Sequence, residues 1–221
     1  DIFRNLLLSG FNGSVYPINP KSSHVLGVHS YESLTMVPGP VDLAVVIVPA
    51  KAVMAVVDEA IAKGVKGLVI ISAGFKEVGR HGAELELELS AKVQAAGIPL
   101  VGPNCLGVIN TDPTVKMNAA FGRKMPVPGN LAFISQSGAL CTSVLDYAEE
   151  RSMGFSKFIS FGNKADVNEI DLLDYLAKDD KTAVIAMYLE DVSNGRKFIE
   201  TARQIFWETR KPMLCLKSGR S

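Results

Sequence analysis

The chain has 221 residues, of which 48% are hydrophobic and 21% are charged, an ordinary composition for a globular protein. Its 23 basic residues balance its 23 acidic residues, which argues against nucleic acid or an anionic membrane as the main partner, because both demand excess basic charge. No apolar run approaches the roughly 20 residues that span a bilayer, and Cys105, Cys141 and Cys215 are too widely spaced for a metal site. We expect a cytoplasmic protein with reduced thiols, one large or two small domains and no membrane contact.

Strand-like and helical patterns alternate along the first part of the chain. Continuous apolar runs predict strands buried in a parallel sheet, and apolar stripes repeating every three or four residues predict helices. In chain order these patterns predict a helix over 1–8, strands over 14–18 and 41–48, a helix over 51–63, a strand over 67–72, a helix containing 84–89, a strand over 98–101 and a weaker strand over 115–120.

A second run of alternating elements follows the segment Pro-Val-Pro-Gly at 126–129, which is the best linker candidate. Its patterns predict strands over 131–135, 155–161, 183–189 and 212–217, and helices over 139–151, 169–178 and 193–209. This order predicts right-handed crossovers and an α/β fold with parallel, doubly wound sheets. We therefore divide the chain into domains 1–125 and 126–221.

The sharpest local signal is a turn of small residues between a predicted strand and a predicted helix. It contains Ser135, Gln136, Ser137 and Gly138. Serine hydroxyls and the N–H groups at a helix start can surround an anion, phosphate above all. Plain capping of the helix by Ser137 is the alternative, and the two roles are compatible.

Three other strand ends offer possible ligand contacts. Lys21 follows the first predicted strand, where it either neutralises a phosphate or is a solvated turn residue. Val48-Pro49 and Ser72-Ala73 end apolar strands, and small residues there let a ligand approach the backbone, although ordinary β–α turns have the same composition. The chain has no complete Gly-x-Gly-x-x-Gly motif, so a direct dinucleotide-binding interpretation fails.

Two further strand ends carry reactive side chains. Asn104 and Cys105 follow the strand near 98–101, and a nucleophilic cysteine requires a nearby histidine or helix N-terminus to lower its pKa. The three histidines are remote in sequence, which favours lining of a site over nucleophilic catalysis. Glu190 ends the strand over 183–189, where its carboxylate either orients an imidazole or simply faces solvent.

Taken together, these motifs resemble those of the ADP-forming (NDP-forming) acyl-CoA synthetases, in their α-subunit-like region, and more distantly the α-subunit of succinyl-CoA synthetase. The matching segments run in the family order over almost the whole chain, at 16–21, 102–107, 134–139, 162–166, 188–190 and 217–221. The resemblance implies a Rossmann-like CoA-binding domain over 1–125, whose first strand and Gly-rich loop would precede Asp1. It also implies a flavodoxin-like CoA-ligase domain over 126–221, with the phosphorylated histidine expected after Ser221.

The resemblance also implies roles for individual residues. Those expected to contact or flank CoA are Lys21, Val48, Pro49, Ile71, Ser72, Ala73, Asn104 and Cys105. Those expected to hold the phosphate of an acyl phosphate and of a phosphohistidine are Ser135, Gln136, Ser137 and Gly138. Glu190 is expected to pair with the phosphorylated histidine, and no metal site is expected in this chain.

The implied reaction converts acyl-CoA, ADP and phosphate into a carboxylic acid, CoA and ATP. ATP or ADP with magnesium would bind only on an ATP-grasp domain, either fused or in a separate β-subunit, and we expect an oligomer. The alternative is the ligase-like, ligand-sensing region of bacterial protein lysine acetyltransferases. A succinyl-CoA synthetase or citrate-cleaving relative is a third, weaker hypothesis.

Overall fold

A three-stranded and a six-stranded β-sheet with flanking helices, together with a two-stranded antiparallel ribbon of β1 and β2, organise the chain in a computed structural model that describes residues 1–122 and 125–219. The elements of the first part are α1 (Ile2–Leu8), β1 (His24–Val25), β2 (Val28–His29), β3 (Leu43–Val46), α2 (Ala50–Lys63), β4 (Gly67–Ile70), α3 (Arg80–Ala96) and β5 (Leu100–Val101), with short 3-10 turns at Leu34–Met36 and Lys76–Val78. Those that follow are β6 (Gly107–Asn110), β7 (Met117–Ala120), β8 (Pro128–Ser135), α4 (Gly138–Glu150), β9 (Phe155–Ser160), α5 (Glu169–Lys178), β10 (Val184–Leu189), α6 (Gly195–Thr209) and β11 (Met213–Lys217).

The first sheet consists of three parallel strands in the order β3-β4-β5. Helix α2 packs on it through Val53, Val57 and Ala60, whose spacing places them on one helical face and which are fully buried. Leu68 and Ile70 of β4 meet this face inside the same hydrophobic core. The apolar run of β4 is thus a buried strand, as predicted, whereas β3 is half-buried apart from Val46.

The second sheet has six strands in the order β11-β10-β8-β9-β6-β7. Strands β11, β10, β8 and β9 are parallel, whereas β6 runs antiparallel to both β9 and β7. The prediction of an α/β fold with parallel sheets is confirmed, and the β6–β7 hairpin is an antiparallel addition to it. Because β8 and β10 are central strands, their carboxyl ends bring residues 135–138 and 190–191 to one edge of the sheet.

The hairpin changes the relation between sheets and predicted domains. Strands β6 and β7 lie before residue 125 in sequence but belong to the second sheet. The division at 125/126 therefore does not coincide with the separation of the two sheets. Gly107 begins this hairpin with φ 115°, and a Cβ there would lie 2.2 Å from the Ala119 carbonyl oxygen, so the close pairing requires glycine.

The strand predicted over 14–18 is wrong. The segment is extended but has no regular strand, and only an isolated bridge joins Ile18 to Tyr31. Pro17 lies inside it and has no backbone N–H to donate to a strand ladder. This residue therefore takes part only through its carbonyl oxygen, as an acceptor. The Pro17 carbonyl oxygen accepts hydrogen bonds from the Tyr31 N–H at 3.0 Å and the Ser30 hydroxyl at 3.1 Å.

Across residues 1–122 and 125–219, no helix combines the length and apolar character needed to cross a membrane.

Candidate active site

A cleft of about 630 Å³ opens where the carboxyl ends of strands from both sheets meet. Its walls come from the segments after β4, β5, β7, β8, β9 and β10. Six of the residues singled out from the sequence line it, namely Asn104, Cys105, Gln136, Ser137, Gly138 and Glu190. The remaining seven lie outside its lining, namely Lys21, Val48, Pro49, Ile71, Ser72, Ala73 and Ser135.

The start of helix α4 forms one wall of the cleft. Ser137 is its N-cap, and its hydroxyl oxygen accepts the Leu140 N–H at 3.3 Å. The fully buried Ser135 hydroxyl accepts the Ser137 N–H at 3.0 Å and lies 3.1 Å from the Ser137 carbonyl oxygen, to which it donates. Both hydroxyls therefore hold the turn, and the next N–H groups, of Gly138 and Ala139, have no acceptor within the helix.

Gly138 leaves space at this helix start. A Cβ built on it would have the Leu106 nitrogen, at 4.0 Å, as its nearest heavy-atom neighbour. The packing of the chain therefore does not demand glycine at this position. The absent side chain instead keeps the first turn of α4 open to the cleft.

Gln136 connects the ends of β8 and β10. Its side-chain oxygen accepts the N–H groups of Glu190 at 2.7 Å and Asp191 at 3.1 Å, and its side-chain nitrogen donates to the Asp191 carboxylate at 2.5 Å. The backbone N–H of Gln136 donates to the Tyr188 carbonyl oxygen at 3.1 Å. The carboxamide thus fixes the loop after β10 beside the helix start.

Glu190 and Asp191 differ in their surroundings. The exposed Glu190 carboxylate has no hydrogen bond or ion pair with any residue in the described part of the chain. Partial burial alone would raise the pKa of Asp191, but hydrogen bonds from Gln136 and Lys164 outweigh it and hold that pKa below its usual range. The loop after β10 therefore presents one engaged carboxylate and, beside it, one carboxylate available to a ligand.

Ser72 joins the strand ends of the first sheet. Its hydroxyl oxygen accepts the Val48 N–H at 3.1 Å, and its carbonyl oxygen accepts the Asn104 N–H at 2.9 Å. Ile71 beside it is buried, whereas Pro49 and Ala73 are exposed. These residues form one continuous edge that leads from the first sheet to Asn104 in the cleft.

Lys21 lies on the extended segment before β1. Its backbone N–H donates to the Asn19 side-chain oxygen at 3.0 Å, and its side chain is exposed. Within the described residues, no hydrogen bond or ion pair ties its ammonium group to another side chain.

Cys105 is a buried thiol at the floor of the cleft. Its sulfur lies 3.4 Å from the Ile70 carbonyl oxygen, to which the thiol donates. Burial raises its pKa to about 12, so the thiol is protonated near neutral pH. A protonated thiol is a poor nucleophile, which supports the interpretation of Cys105 as a lining residue.

Gly162 allows two loops to meet at the cleft. Its φ is 52°, and a Cβ on it would lie 2.3 Å from the carbonyl oxygens of Pro103 and Asn104. The Asn163 N–H donates to the Pro103 oxygen at 2.9 Å. Only glycine permits this contact between the loop after β5 and the loop after β9.

Sequence reasoning gave no role to the polar network around Asn163. Its side-chain nitrogen donates to Glu77 and Glu86, each at 2.7 Å, and its side-chain oxygen accepts the Asn104 amide at 3.2 Å. Lys76 pairs with Glu86 at 3.3 Å. The segment 162–166 stood out in the sequence, but the side-chain partners of Asn163 are 59 to 86 residues away, and no local pattern could have revealed them.

No group of three or more His, Cys, Asp or Glu side chains in the described ranges is arranged to hold a metal ion. None of the three histidines lines the cleft. Of the segment 217–221, residues 220 and 221 lie outside the described residues.

Comparison with known proteins adds independent observations. The family model for a CoA binding domain matches residues 1–111, and the model for a succinyl-CoA ligase like flavodoxin domain matches residues 128–221. Acetate–CoA ligase [ADP-forming] I of Archaeoglobus fulgidus is 49% identical over 214 residues, which cover 97% of this chain and 31% of the relative. The alpha subunit of acetate–CoA ligase [ADP-forming] II of Pyrococcus furiosus is 43% identical over 221 residues, covering 100% of this chain and 47% of the relative.

A solved structure is similarly close. The dinucleotide-forming acetyl-coenzyme A synthetase 1 of Ca. Korarchaeum cryptofilum, in complex with phosphate and ADP, superposes with a TM-score of 0.93 at 44% identity. The match covers 100% of this chain and 47% of that one. The chain thus spans about a third to a half of the length of these relatives. It belongs to the CoA binding domain family, here joined to a succinyl-CoA ligase like flavodoxin domain, and is similar to the α-subunit-like region of ADP-forming acyl-CoA synthetases.

Proposed function

We propose that this chain is the CoA-binding and ligase region of an ADP-forming acyl-CoA synthetase. The complete protein would interconvert acyl-CoA, ADP and phosphate with a carboxylic acid, CoA and ATP, through an acyl phosphate and a phosphohistidine. One observation carries the proposal: an unpaired Glu190 carboxylate and the Ser137-capped start of α4 share one cleft with the strand end at Asn104.

The helix start suits a phosphoryl group. The open N–H groups of Gly138 and Ala139 and the positive end of the helix dipole favour a bound anion. Glu190 would repel that anion unless a cationic or protonated imidazole lay between them. The arrangement therefore fits a histidine, supplied by another part of the complete protein, that takes a phosphoryl group at one nitrogen while Glu190 holds the other N–H.

The edge of the first sheet suits CoA as the second substrate. Val48 and Pro49 would flank CoA, and the strand end at 71–73 would contact it, with its thiol end near Asn104 and Cys105. A phosphate oxygen would attack the thioester carbonyl, the C–S bond would break, and CoA would leave as a thiolate that then takes up a proton. The protonated Cys105 thiol does not compete with phosphate as the acyl acceptor.

The remaining participants lie outside this chain. ATP or ADP with magnesium would bind an ATP-grasp domain or β-subunit, and phosphohistidine would move between that site and the cleft. We further propose that the complete protein is an oligomer of the cytoplasm.

The test of CoA binding uses the complete protein and a matched pair of lysine variants. Lys21→Ala removes the exposed charge expected to contact CoA, whereas Lys197→Ala removes an exposed charge on α6. We expect Lys21→Ala to weaken CoA binding by about 1–2 kcal/mol, the loss of one charge-assisted contact, in isothermal calorimetry. Lys197→Ala should leave the affinity unchanged, and equal affinity in both variants would count against the CoA assignment of Lys21.

The reaction itself is tested by ATP formation from acyl-CoA, ADP and phosphate. We expect the complete wild-type protein to form ATP in strict dependence on all three substrates. A complete protein that binds CoA yet forms no ATP from any acyl-CoA would instead favour the ligand-sensing region of a lysine acetyltransferase.

A further inference from the structure

The loop after β10 is anchored by Lys164 and Glu169 as well as by Gln136. The Ser193 N–H donates to Glu169 Oε1 at 2.9 Å. The Asp191 carbonyl oxygen accepts from Lys164 Nζ at 3.0 Å. The loop that carries Glu190 is therefore held by three side chains, while the Glu190 carboxylate itself has no hydrogen bond or ion pair with any described residue.

Lys164 is the centre of this second anchor. Its ammonium lies 3.0 Å from Glu169 Oε2 and 3.1 Å from Asp191 Oδ1, in addition to the Asp191 carbonyl oxygen. The Lys164 side chain is 5% exposed and that of Glu169 is fully buried. A buried ammonium is costly unless several oxygens receive it, and here three do.

The backbone at Lys164 is also unusual. Its φ of 50° lies in the left-handed region, which a lysine seldom adopts. The Lys164 side chain does not line the cavity, and its ammonium contacts Glu169 and Asp191 instead. An unfavourable backbone conformation thus accompanies the ammonium that contacts the loop carrying Glu190.

We propose that Lys164 is a positioning residue for the Glu190 carboxylate. It holds the Asp191 backbone and carboxylate, and so sets where Glu190 stands relative to the start of α4. The inference rests on the role proposed above for Glu190 and adds the group that orients it. The competing explanation is that Lys164 and Glu169 form a buried ion pair that serves stability alone.

Three variants of the complete protein separate these explanations. Lys164→Met leaves the Glu169 charge buried and unpaired, and should lower both the melting temperature and the turnover of acyl-CoA, ADP and phosphate. Glu169→Gln keeps an oxygen for Ser193 and leaves Lys164 on Asp191, so turnover should stay within about threefold of wild type. The double variant, Lys164→Met with Glu169→Gln, has no unpaired buried charge and should regain most of the melting temperature.

The decisive readout is the turnover of the double variant. We expect it to stay at least tenfold below wild type, with CoA affinity in calorimetry changed by less than twofold, because the hold on Asp191 is still missing. Wild-type turnover in the double variant would overturn the proposal, as would a loss in Glu169→Gln as deep as that in Lys164→Met. A Glu190→Gln variant assayed alongside separates the positioning role of Lys164 from the proposed function. Full activity of that variant would overturn the proposed function itself.

Discussion

The network around Asn163 predicts a pH-dependent stability defect. Asn163 is 7% exposed and donates from one nitrogen to the carboxylates of Glu77 and Glu86, each at 2.7 Å. Partial burial alone would raise the pKa of Glu77, but the Asn163 bond and backbone N–H groups outweigh it and lower that pKa. Replacing this donor with a carboxylate, as in Asn163→Asp, places three acidic side chains together.

The expected loss in the free energy of unfolding has two contributions. Losing two hydrogen bonds to charged groups costs about 1.5 kcal/mol each, or about 3 kcal/mol, in either Asn163→Ala or Asn163→Asp. Two unit charges 4 Å apart repel by about 4 kcal/mol at an effective dielectric constant of 20, and side-chain movement relieves part of this in the aspartate variant. At pH 7.5 we therefore expect Asn163→Asp to lower the free energy of unfolding by about 5 kcal/mol and Asn163→Ala by about 3 kcal/mol.

The pH dependence separates the two variants. Repulsion raises the pKa of the new carboxyl in the folded state above its unfolded value of about 4, so the folded protein binds more protons in between. The stability of Asn163→Asp should consequently fall as pH rises through that window, and its deficit relative to Asn163→Ala should shrink toward pH 5.

Guanidinium unfolding followed by circular dichroism at pH 5 and pH 7.5 measures both effects. Gln204→Glu is the matched control, because Gln204 is an exposed amide that donates to Glu208 at 2.8 Å. It should cost only about 0.5 kcal/mol, as for like charges one helical turn apart. A deficit of Asn163→Asp no larger than that of Asn163→Ala at pH 7.5, or one that ignores pH, would refute the reasoning.

Two further predictions concern stability and thiol chemistry. Lys211 Nζ donates to the carbonyl oxygens of Leu176, Ala177 and Asp179 at 2.9, 2.9 and 2.7 Å. Lys211→Met should therefore lower the guanidinium midpoint and reduce the free energy of unfolding by about 2 kcal/mol. An unchanged midpoint would contradict this. Burial raises the pKa of Cys105 to about 12. Iodoacetamide at pH 8 should therefore label exposed Cys215 in the native protein long before Cys105. Equal labelling of the two cysteines in mass spectrometry would contradict the buried, protonated state of Cys105.

The regular elements were predictable where the local signals agreed. Helix α5 was predicted over 169–178, and it has these bounds because Asn168 caps its first turn and Asp171 reciprocates in a capping box. The strands over 131–135 and 183–189 were predictable because unbroken apolar runs of this length fit strands buried in a parallel sheet. Sequence patterns of this kind also placed Ser137 at a helix start.

The errors arose where tertiary pairing decides the outcome. The segment 14–18 has strand-like composition, but Pro17 lacks the N–H donor that a strand ladder needs. The segment therefore forms isolated hydrogen bonds and a single bridge in place of a strand. The hairpin β6–β7 required a partner, β9, that follows it by about 50 residues, so its place in the second sheet could not be derived locally.

The candidate site was also predictable only in part, because some of its residues depend on tertiary pairing. The placement of Ser137, Gly138 and Glu190 in one cleft was predictable because parallel strands bring their carboxyl ends to one edge. Asn163 and Lys164 were present in a conspicuous segment, yet their roles depend on partners from distant parts of the chain. What marks both residues is their hydrogen bonds and ion pairs with other polar side chains, and these can be recognised only once the fold is known.

Phosphorylation of the complete protein by ATP tests the central claim most directly. Glu190→Gln keeps the size and backbone contacts of Glu190 and removes the charge expected to hold the histidine. Glu200→Gln makes the same change at an exposed glutamate on α6. With γ-labelled ATP, we predict acid-labile phosphoprotein in wild type and Glu200→Gln, and a reduction of at least tenfold in its rate of formation in Glu190→Gln, with CoA affinity nearly unchanged. Phosphorylation of Glu190→Gln at the wild-type rate would contradict the proposed role of the cleft.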